Sequence, residues 1–214
     1  MNNVIRVWDP LVRIFHWSLV LAFAVAYLSG DEENSLHIYS GYIVAGLIIF
    51  RLVWGVVGTR YARFSHFIYS PTAVATYMKD LLAGRPPHHV GHNPAAGWMI
   101  VVLLVTLAVI TVSGLKVYAI EEGLGPLADG AHSMSIISQA LADSDDDDDH
   151  ERHEKPHHDD DEEEFWEEIH EASSNFMLLL IALHVVGVVV SGRLHRENLV
   201  KAMITGNKTD IPGA

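Results

Sequence analysis

The chain has 214 residues, half of which are hydrophobic, and a formal net charge of −13. It contains 14 histidines but no cysteine, which excludes disulfides, thiolate zinc sites and iron–sulfur ligation. The negative charge is concentrated in one segment and no strong basic patch lies elsewhere, so no nucleic-acid partner is expected.

Four apolar runs divide the chain, and each is long enough to cross a membrane. About 20 helical residues span about 30 Å of hydrocarbon, and none of the runs contains an interior proline. Because lipid offers the backbone no hydrogen-bond partners, each run is predicted to be a helix. The four predicted spans cover residues 12–28, 38–57, 95–115 and 173–190. The sequence therefore predicts an all-α integral membrane four-helix bundle, with residues 1–214 forming a single domain.

Two connections separate the first three spans. Residues 30–35 form a short polar turn, whereas residues 58–93 are long enough to hold further structure. Within this second connection an amphipathic helix is predicted over 71–82, because Pro71 suits a first helical position and the sequence GRPP at 84–87 ends the pattern.

The connection between the third and fourth spans carries most of the negative charge. Residues 143–171 hold 17 of the 27 acidic residues and only two bases, Arg152 and Lys155, which leaves a balance of +2 elsewhere. Self-repulsion is expected to keep residues 143–168 flexible. Three interpretations stay open: a solvated tether, a surface that steers a basic partner protein, or a divalent-metal site. Such a metal site would combine the acids with His150, His153, His157 and His158.

The distribution of lysine and arginine predicts how the spans are oriented. Basic residues precede the first span, lie between the second and third, and follow the fourth, so they share one side of a four-span protein. The positive-inside rule places that side in the cytoplasm. We therefore expect a multi-pass protein of the bacterial inner membrane, in contact with lipid. Both termini are expected to be cytoplasmic and the acidic segment periplasmic.

Four histidines lie near the ends of predicted spans, at two heights. His16 and His184 lie near the cytoplasmic side, and His37 and His170 near the periplasmic side. His170 and His184 are fourteen residues apart, which is close to four helical turns, so they share one face of the fourth span. At about 1.5 Å per residue they are separated by about 21 Å along the helix. One imidazole is therefore expected at each membrane boundary.

Paired imidazoles at each height are typical of b-type haem sites. The iron of such a haem takes an axial ligand on each face, and helix bundles supply these ligands from facing helices. The pattern predicts two non-covalent haem b groups, one held by His16 and His184 and the other by His37 and His170. For each histidine taken singly, the alternative is a hydrogen bond between helices, since an ionisable residue within a span needs a partner.

Arg51 lies fourteen residues after His37, on the same face of the second span. A guanidinium group inside a membrane is costly unless it is paired. Two interpretations follow: Arg51 forms an ion pair with a propionate of the cytoplasmic haem, or its side chain extends along the helix to the nearby interface.

Four stretches of the sequence form a distinctive set: VWDPLVRIFHW at 7–17, LHIYSGYIVAGLIIFRLVWGVVGTRYARF at 36–64, GHNPAAGWM at 91–99 and IHEASSNFMLLLIALHVVGV at 169–188. In this order they resemble the bacterial cytochrome b561 and nickel–iron hydrogenase cytochrome b family. The resemblance implies a four-helix, di-haem b cytochrome that exchanges electrons between a quinone pool and a partner protein. It also implies haem ligands on the first, second and fourth helices, which matches His16, His37, His170 and His184.

Three functions follow from these observations. The first is electron transfer across the inner membrane between quinone and a periplasmic redox partner, such as a c-type cytochrome docked by the acidic segment. The second is that of a membrane anchor and electron-transfer subunit of a hydrogenase or another periplasmic oxidoreductase, in which only the partner differs. The third is divalent-metal transport, which is disfavoured because the hydrophobic cores of the spans contain no acidic residues.

Overall fold

A computed structural model describes residues 3–30, 35–128 and 157–210, and the described chain is mostly helical. Its elements, in chain order, are β1 (Asn3–Arg6), α1 (Pro10–Leu28), α2 (Ser35–Val57), α3 (Pro71–Leu82), α4 (Pro94–Glu122), α5 (His157–His195), α6 (Leu199–Thr205) and β2 (Asn207–Asp210). A short 3-10 helix, Phe64–His66, lies between α2 and α3.

Four of these helices are long and apolar enough to cross a membrane: α1, α2, α4 and the part of α5 from Asp161 to His195. Their large apolar side chains are exposed to a degree that is unfavourable in water, since Leu21 is 67% exposed and Val56 is 70% exposed. The four predicted spans are therefore confirmed as helices. The chain is a multi-pass membrane protein.

Three helices begin with the same local chemistry, a polar capping residue followed by a proline. Asp9 precedes α1 and accepts a hydrogen bond from the backbone nitrogen of Val12 at 3.0 Å. Ser70 caps α3, and Asn93 accepts from the backbone nitrogen of Ala96 at 2.8 Å at the start of α4. The side-chain oxygen satisfies a free N–H of the first turn, and proline suits the first helical position. The predicted helix over 71–82 is confirmed as α3.

Two compact units are distinguished, the first formed by residues 1–108 and 176–214 and the second by residues 109–175. In the first unit, β1 and β2 pair antiparallel from Asn3 with Asp210 to Arg6 with Asn207. Beside this pair, Gly206 adopts a left-handed φ of 85° at the end of α6, and its carbonyl oxygen accepts from the backbone nitrogens of Val7 and Trp8. The first and last described residues therefore lie side by side.

Within the first unit, α1 and α2 run antiparallel, and the start of α1 contacts the end of α2. The ring of Phe15 packs on that of Phe50 with centroids 6.2 Å apart. The carboxylate of Asp9, besides capping α1, accepts from the Trp54 indole at 3.2 Å and from the Thr59 hydroxyl. These contacts fix the level of α1 against α2.

The second unit contains the end of α4 and the beginning of α5, which starts earlier than the predicted span at residue 173. The helix begins at His157, so residues 157–168 are helical where a flexible segment was expected. Acidic side chains in the first turns of a helix interact favourably with its positive N-terminal end, and glutamate is a good helix former. Residues 143–156, with His150 and His153, and the side chains of His157 and His158 lie outside the described part of the chain.

Candidate functional site

His16 and His184 both belong to the first unit. His16 lies in the second turn of α1, and its ring packs edge-on against Trp17 with centroids 5.1 Å apart. The two imidazoles are half-buried and close enough for their charges to interact. The Nδ1 atom of His16 is buried and makes no hydrogen bond to any residue that the structure describes. The two histidines predicted as a pair therefore lie on separate helices and near enough to interact electrostatically. Their binding of one haem stays a prediction.

His37, at the start of α2, is oriented by α1. Its Nδ1 atom lies 2.9 Å from the backbone carbonyl oxygen of Ala26. A carbonyl oxygen only accepts hydrogen bonds, so Nδ1 carries the proton and Nε2 carries the lone pair. Histidines that bind metals usually hold this arrangement, with the second ring nitrogen donating to a carbonyl or carboxylate.

His170, on α5 in the second unit, holds the same tautomer through α4. Its Nδ1 atom lies 3.0 Å from the carbonyl oxygen of Ile110 and 3.2 Å from the hydroxyl oxygen of Ser113. Because the Ser113 hydroxyl donates to the carbonyl of Val109 at 2.9 Å, its oxygen is an acceptor for His170. Ser113 is completely buried, so this hydrogen bond is shielded from solvent.

Gly114 provides the space for the His170 ring. A Cβ atom at residue 114 would lie 3.1 Å from Nδ1 of His170 and 2.8 Å from its Cε1 atom, and the latter distance is closer than real Cβ atoms approach. Ser113 and Gly114 thus form a seat for the imidazole. We did not predict this seat from the sequence, because small residues are common at helix contacts in membranes. The available signal was a serine beside a glycine within an apolar span.

His37 belongs to the first unit and His170 to the second. Each ring is oriented by contacts inside its own unit. The pairing of these two histidines on one iron therefore stays a prediction.

Arg51 is buried in α2 rather than extended to the interface. Only 3% of its surface is exposed, and its guanidinium carbon lies 4.8 Å from the ring centre of Phe64 and 5.7 Å from that of Phe67. Gly55 makes room for Phe64, because a Cβ atom there would lie 1.9 Å from the phenyl ring. The Nη1 atom of Arg51 is buried without a hydrogen-bond partner among the described residues. This position favours the interpretation in which Arg51 binds an anion.

The sequence profile of the prokaryotic cytochrome b561 family matches residues 7–206, which is nearly the whole chain and includes all four histidines. The chain belongs to the prokaryotic cytochrome b561 family. It is therefore a membrane b-type cytochrome, a haem protein of electron transport.

Several relatives of this cytochrome carry similar names. A protein of Escherichia coli strain K12, named as a probable Ni/Fe-hydrogenase 1 B-type cytochrome subunit, is 29% identical over 126 residues, which cover 44% of this chain and 53% of that protein. A probable Ni/Fe-hydrogenase B-type cytochrome subunit of Rhodobacter capsulatus is 22% identical, over 96% of this chain and 81% of that protein. Its counterpart in Azotobacter vinelandii is 25% identical, over 58% of this chain and 62% of that protein. No solved structure matches the chain.

The residues of this cytochrome fit a haem between His16 and His184. Two imidazoles from separate helices are suitable axial ligands, and a buried nitrogen without a partner, such as Nδ1 of His16, is costly in a finished protein. Gly187 lies three residues after His184, and a Cβ atom there would meet no described atom within 4 Å. Gly41, one turn after His37, is open in the same way. At both positions a flat ring can approach the backbone.

A polar cluster on the predicted cytoplasmic side anchors the loop before α4. The carboxylate of Glu197 accepts from Lys208 Nζ at 2.9 Å and from His88 Nε2 at 3.0 Å. Burial raises the pKa of Glu197, but the hydrogen bonds from His88 and Lys208 outweigh it and hold this pKa below its ordinary value. The cluster ties the loop at 84–93 to β2 and to the end of α5. We did not identify it from the sequence, where these residues read as ordinary surface charges.

Proposed function

We propose that this protein is a di-haem cytochrome b that carries electrons across the bacterial inner membrane between the quinone pool and a periplasmic redox partner. His16 and His184 would hold one haem b near the cytoplasmic side, and His37 and His170 would hold the other near the periplasmic side. Both termini would face the cytoplasm. The observation that carries the proposal is the shared tautomer of His37 and His170, each of which directs its Nδ1 proton to a backbone carbonyl of a neighbouring helix.

The residues of the chain would orient and tune the redox centres. The haem iron supplies the one-electron chemistry when it is bound. Hydrogen bonds at Nδ1 fix the ring planes of His37 and His170 and raise the basicity of their Nε2 atoms. The apolar spans exclude water around the imidazoles, and the guanidinium of Arg51 offsets negative charge at the cytoplasmic level. Fourteen residues of α5 would carry one ligand at each end of a path of about 21 Å.

The identity of the partner is a second proposal. The relatives are named as hydrogenase cytochrome subunits, which favours a role as the membrane anchor and electron-transfer subunit of a hydrogenase or another periplasmic oxidoreductase. A soluble c-type cytochrome is the alternative partner. Its basic surface would be steered to the acidic residues at 143–171 by long-range attraction. Purification under mild conditions distinguishes these two proposals. A membrane anchor should co-purify with its catalytic subunit, whereas a c-type cytochrome that docks transiently should be lost.

Vesicles test the transmembrane electron path. The purified cytochrome is reconstituted into liposomes that contain ferricyanide, and a membrane-impermeant reductant is added outside. We expect reduction of the trapped ferricyanide by the parent protein and by the control His66→Ala, whose side chain is exposed. The variants His184→Ala and His170→Ala should fall to the rate of empty liposomes. A parent rate equal to that of empty liposomes would contradict the proposal.

A further inference from the structure

His92 lies in the GHNP stretch just before α4 and is packed on both sides by aromatic rings. Its ring centroid is 4.5 Å from that of Trp8 and 4.7 Å from that of Phe67. Its backbone carbonyl oxygen accepts a hydrogen bond from the Tyr69 hydroxyl at 3.4 Å. The Nδ1 atom is buried and has no hydrogen-bond partner within the described ranges.

Arg51 and His92 meet on Phe67. The guanidinium carbon of Arg51 lies 5.7 Å from the centre of the Phe67 ring that also contacts His92, and the two groups interact electrostatically. Burial lowers the pKa of His92 to about 3, and the charges of Arg51 and Lys208 act in the same direction. His92 is therefore a neutral imidazole with one N–H. Together the two residues present a buried positive charge and a buried neutral donor.

The acid that interacts with Arg51 does not satisfy these groups. Asp9 attracts the guanidinium electrostatically, but its two oxygens already accept from Val12, Trp54 and Thr59. A buried guanidinium without a bonded anion is strongly unfavourable. No carboxylate among the described residues satisfies these groups, and the chemistry of the site suits a further carboxylate.

Arg51 lies at the same level as His16 along the α1–α2 pair. His16 is six residues after the start of α1 and Arg51 is six residues before the end of α2, so each lies about 9 Å from the same end of an antiparallel pair. The contact between Phe15 and Phe50, one residue before each, confirms this alignment. A group bound between His16 and His184 would have its edge within reach of this level.

We propose that Arg51 and His92 form a carboxylate receptor that binds a propionate of the haem held by His16 and His184. This inference rests on the proposed function and adds His92 to it as a positioning residue. Arg51 balances the charge of the propionate, and the N–H of His92 donates to one of its oxygens. Trp8 and Phe67 hold the imidazole in place and exclude water. By offsetting negative charge beside the iron, the receptor favours the reduced haem.

The test compares His92→Phe with the matched control His89→Phe. Phenylalanine keeps an aromatic ring between Trp8 and Phe67 but removes both nitrogens. His89 lies in the same loop. Its Nδ1 donates to the Pro87 carbonyl, and its ring packs edge-on against Tyr69 and Tyr77, contacts that an aromatic replacement can keep. For His92→Phe we expect a shift of the propionate bending band of one haem in resonance Raman spectra. The equilibrium constant for reduction of that haem should fall about tenfold, which corresponds to a decrease of about 59 mV in its one-electron reduction potential. His89→Phe should change neither quantity.

A second measurement leaves the polypeptide unchanged. The apoprotein is reconstituted with haem dimethyl ester, in which both propionates lose their charge. If His92 acts through the propionate, His92→Phe and the parent should then have equal potentials. An unshifted propionate band in His92→Phe would overturn the inference. So would an equal change of reduction potential with natural haem and with the diester. Neither result would contradict the proposed function. A purified chain without haem would overturn both the inference and the proposed function.

Discussion

At the scale of single residues, a backbone carbonyl decides which nitrogen of a histidine carries the proton. Ala26 does so for His37, and Ile110 with Ser113 does so for His170. The sequence predicts which histidines lie at matching heights, because a helix has a fixed rise per residue. It does not reveal the carbonyls, since every residue has one and only the packing of α1, α4 and α5 brings a particular oxygen to a ring.

The seat at Ser113 and Gly114 gives the first prediction. In Gly114→Ala, the new methyl group would collide with the His170 ring, whose Cε1 atom lies 2.8 Å from the position of the Cβ. We expect this variant to lose one of two haems. Gly46→Ala is the matched control, because its Cβ meets no described atom within 4 Å. The pyridine haemochrome assay measures the haem content of both variants. Two haems per chain in Gly114→Ala would show that the seat does not position a ligand.

Ser113→Ala tests the same seat more gently. The Ile110 carbonyl still accepts from His170 in this variant, so haem should be retained. Loss of the second acceptor weakens the electron donation from the imidazole. We therefore expect the potential of one haem to rise in a redox titration and that of the other to stay constant. A fall in potential, or a change in both haems, would be the contrary result.

At the scale of elements, the sequence predicted the spans and α3 well but not the beginning of α5. Apolar runs of sufficient length allow only helices in lipid, so α1, α2 and α4 follow directly from composition. The acidic residues before the fourth span have the composition of a disordered segment, yet residues 157–168 are helical. Local composition does not report the favourable position of acids at a helix N-terminus that continues into a long apolar helix.

The hydrogen bonds of Asp9 lead to a prediction about how much the first turn of α1 contributes to stability. In Asp9→Ala, the cap at Val12 and the bonds from Trp54 and Thr59 are lost together. Loss of a helix cap alone costs about 1 kcal/mol, and we expect a total loss of about 1–2 kcal/mol. Asp9→Asn keeps an acceptor at the cap and should lose less. Unfolding in detergent, followed by the absorbance of the haem at the His16 end, would measure both; equal stability of Asp9→Ala and the parent would refute this role.

The lowered pKa of His92, which lies just before α4, leads us to expect that the folded protein loses stability in acid. Its pKa is lowered from 6.5 to about 3 by burial, so the unfolded chain binds a proton where the folded protein does not. The stability from this group is complete above pH 6.5 and falls as the pH decreases from 6.5 towards 3. The unfolding temperature of the parent should therefore decrease more over this range than that of His92→Phe. Parallel curves for the two proteins would contradict the assignment.

At the scale of the whole molecule, one near-neutral membrane body carries one strongly acidic segment. The segment holds 17 of the 27 acids within residues 143–171, beside the proposed periplasmic haem ligand His170. The amino-acid composition shows where this charge lies. It does not identify the partner protein, because long-range attraction depends on the partner's charge and many basic proteins could meet that requirement.

Salt dependence tests the proposed docking. Replacing the five aspartates at 145–149 by asparagine should slow electron transfer to a basic c-type cytochrome at low ionic strength. It should leave haem content unchanged. At about 0.15 M salt the Debye length is about 8 Å, so attraction between charges farther apart than this is screened. The electron-transfer rates of the parent and the variant should therefore converge as the salt concentration rises. Identical rates at low salt would count against docking by this segment.

The ratio of haem to polypeptide is the most direct test of the central claim, that four histidines hold two haems in two pairs. The parent protein should contain two haems per chain by pyridine haemochrome and amino-acid analysis. His16→Ala and His184→Ala should each lose the same spectral component, and His37→Ala and His170→Ala should each lose the other one. One haem per chain in the parent, or two in His184→Ala, would contradict the account.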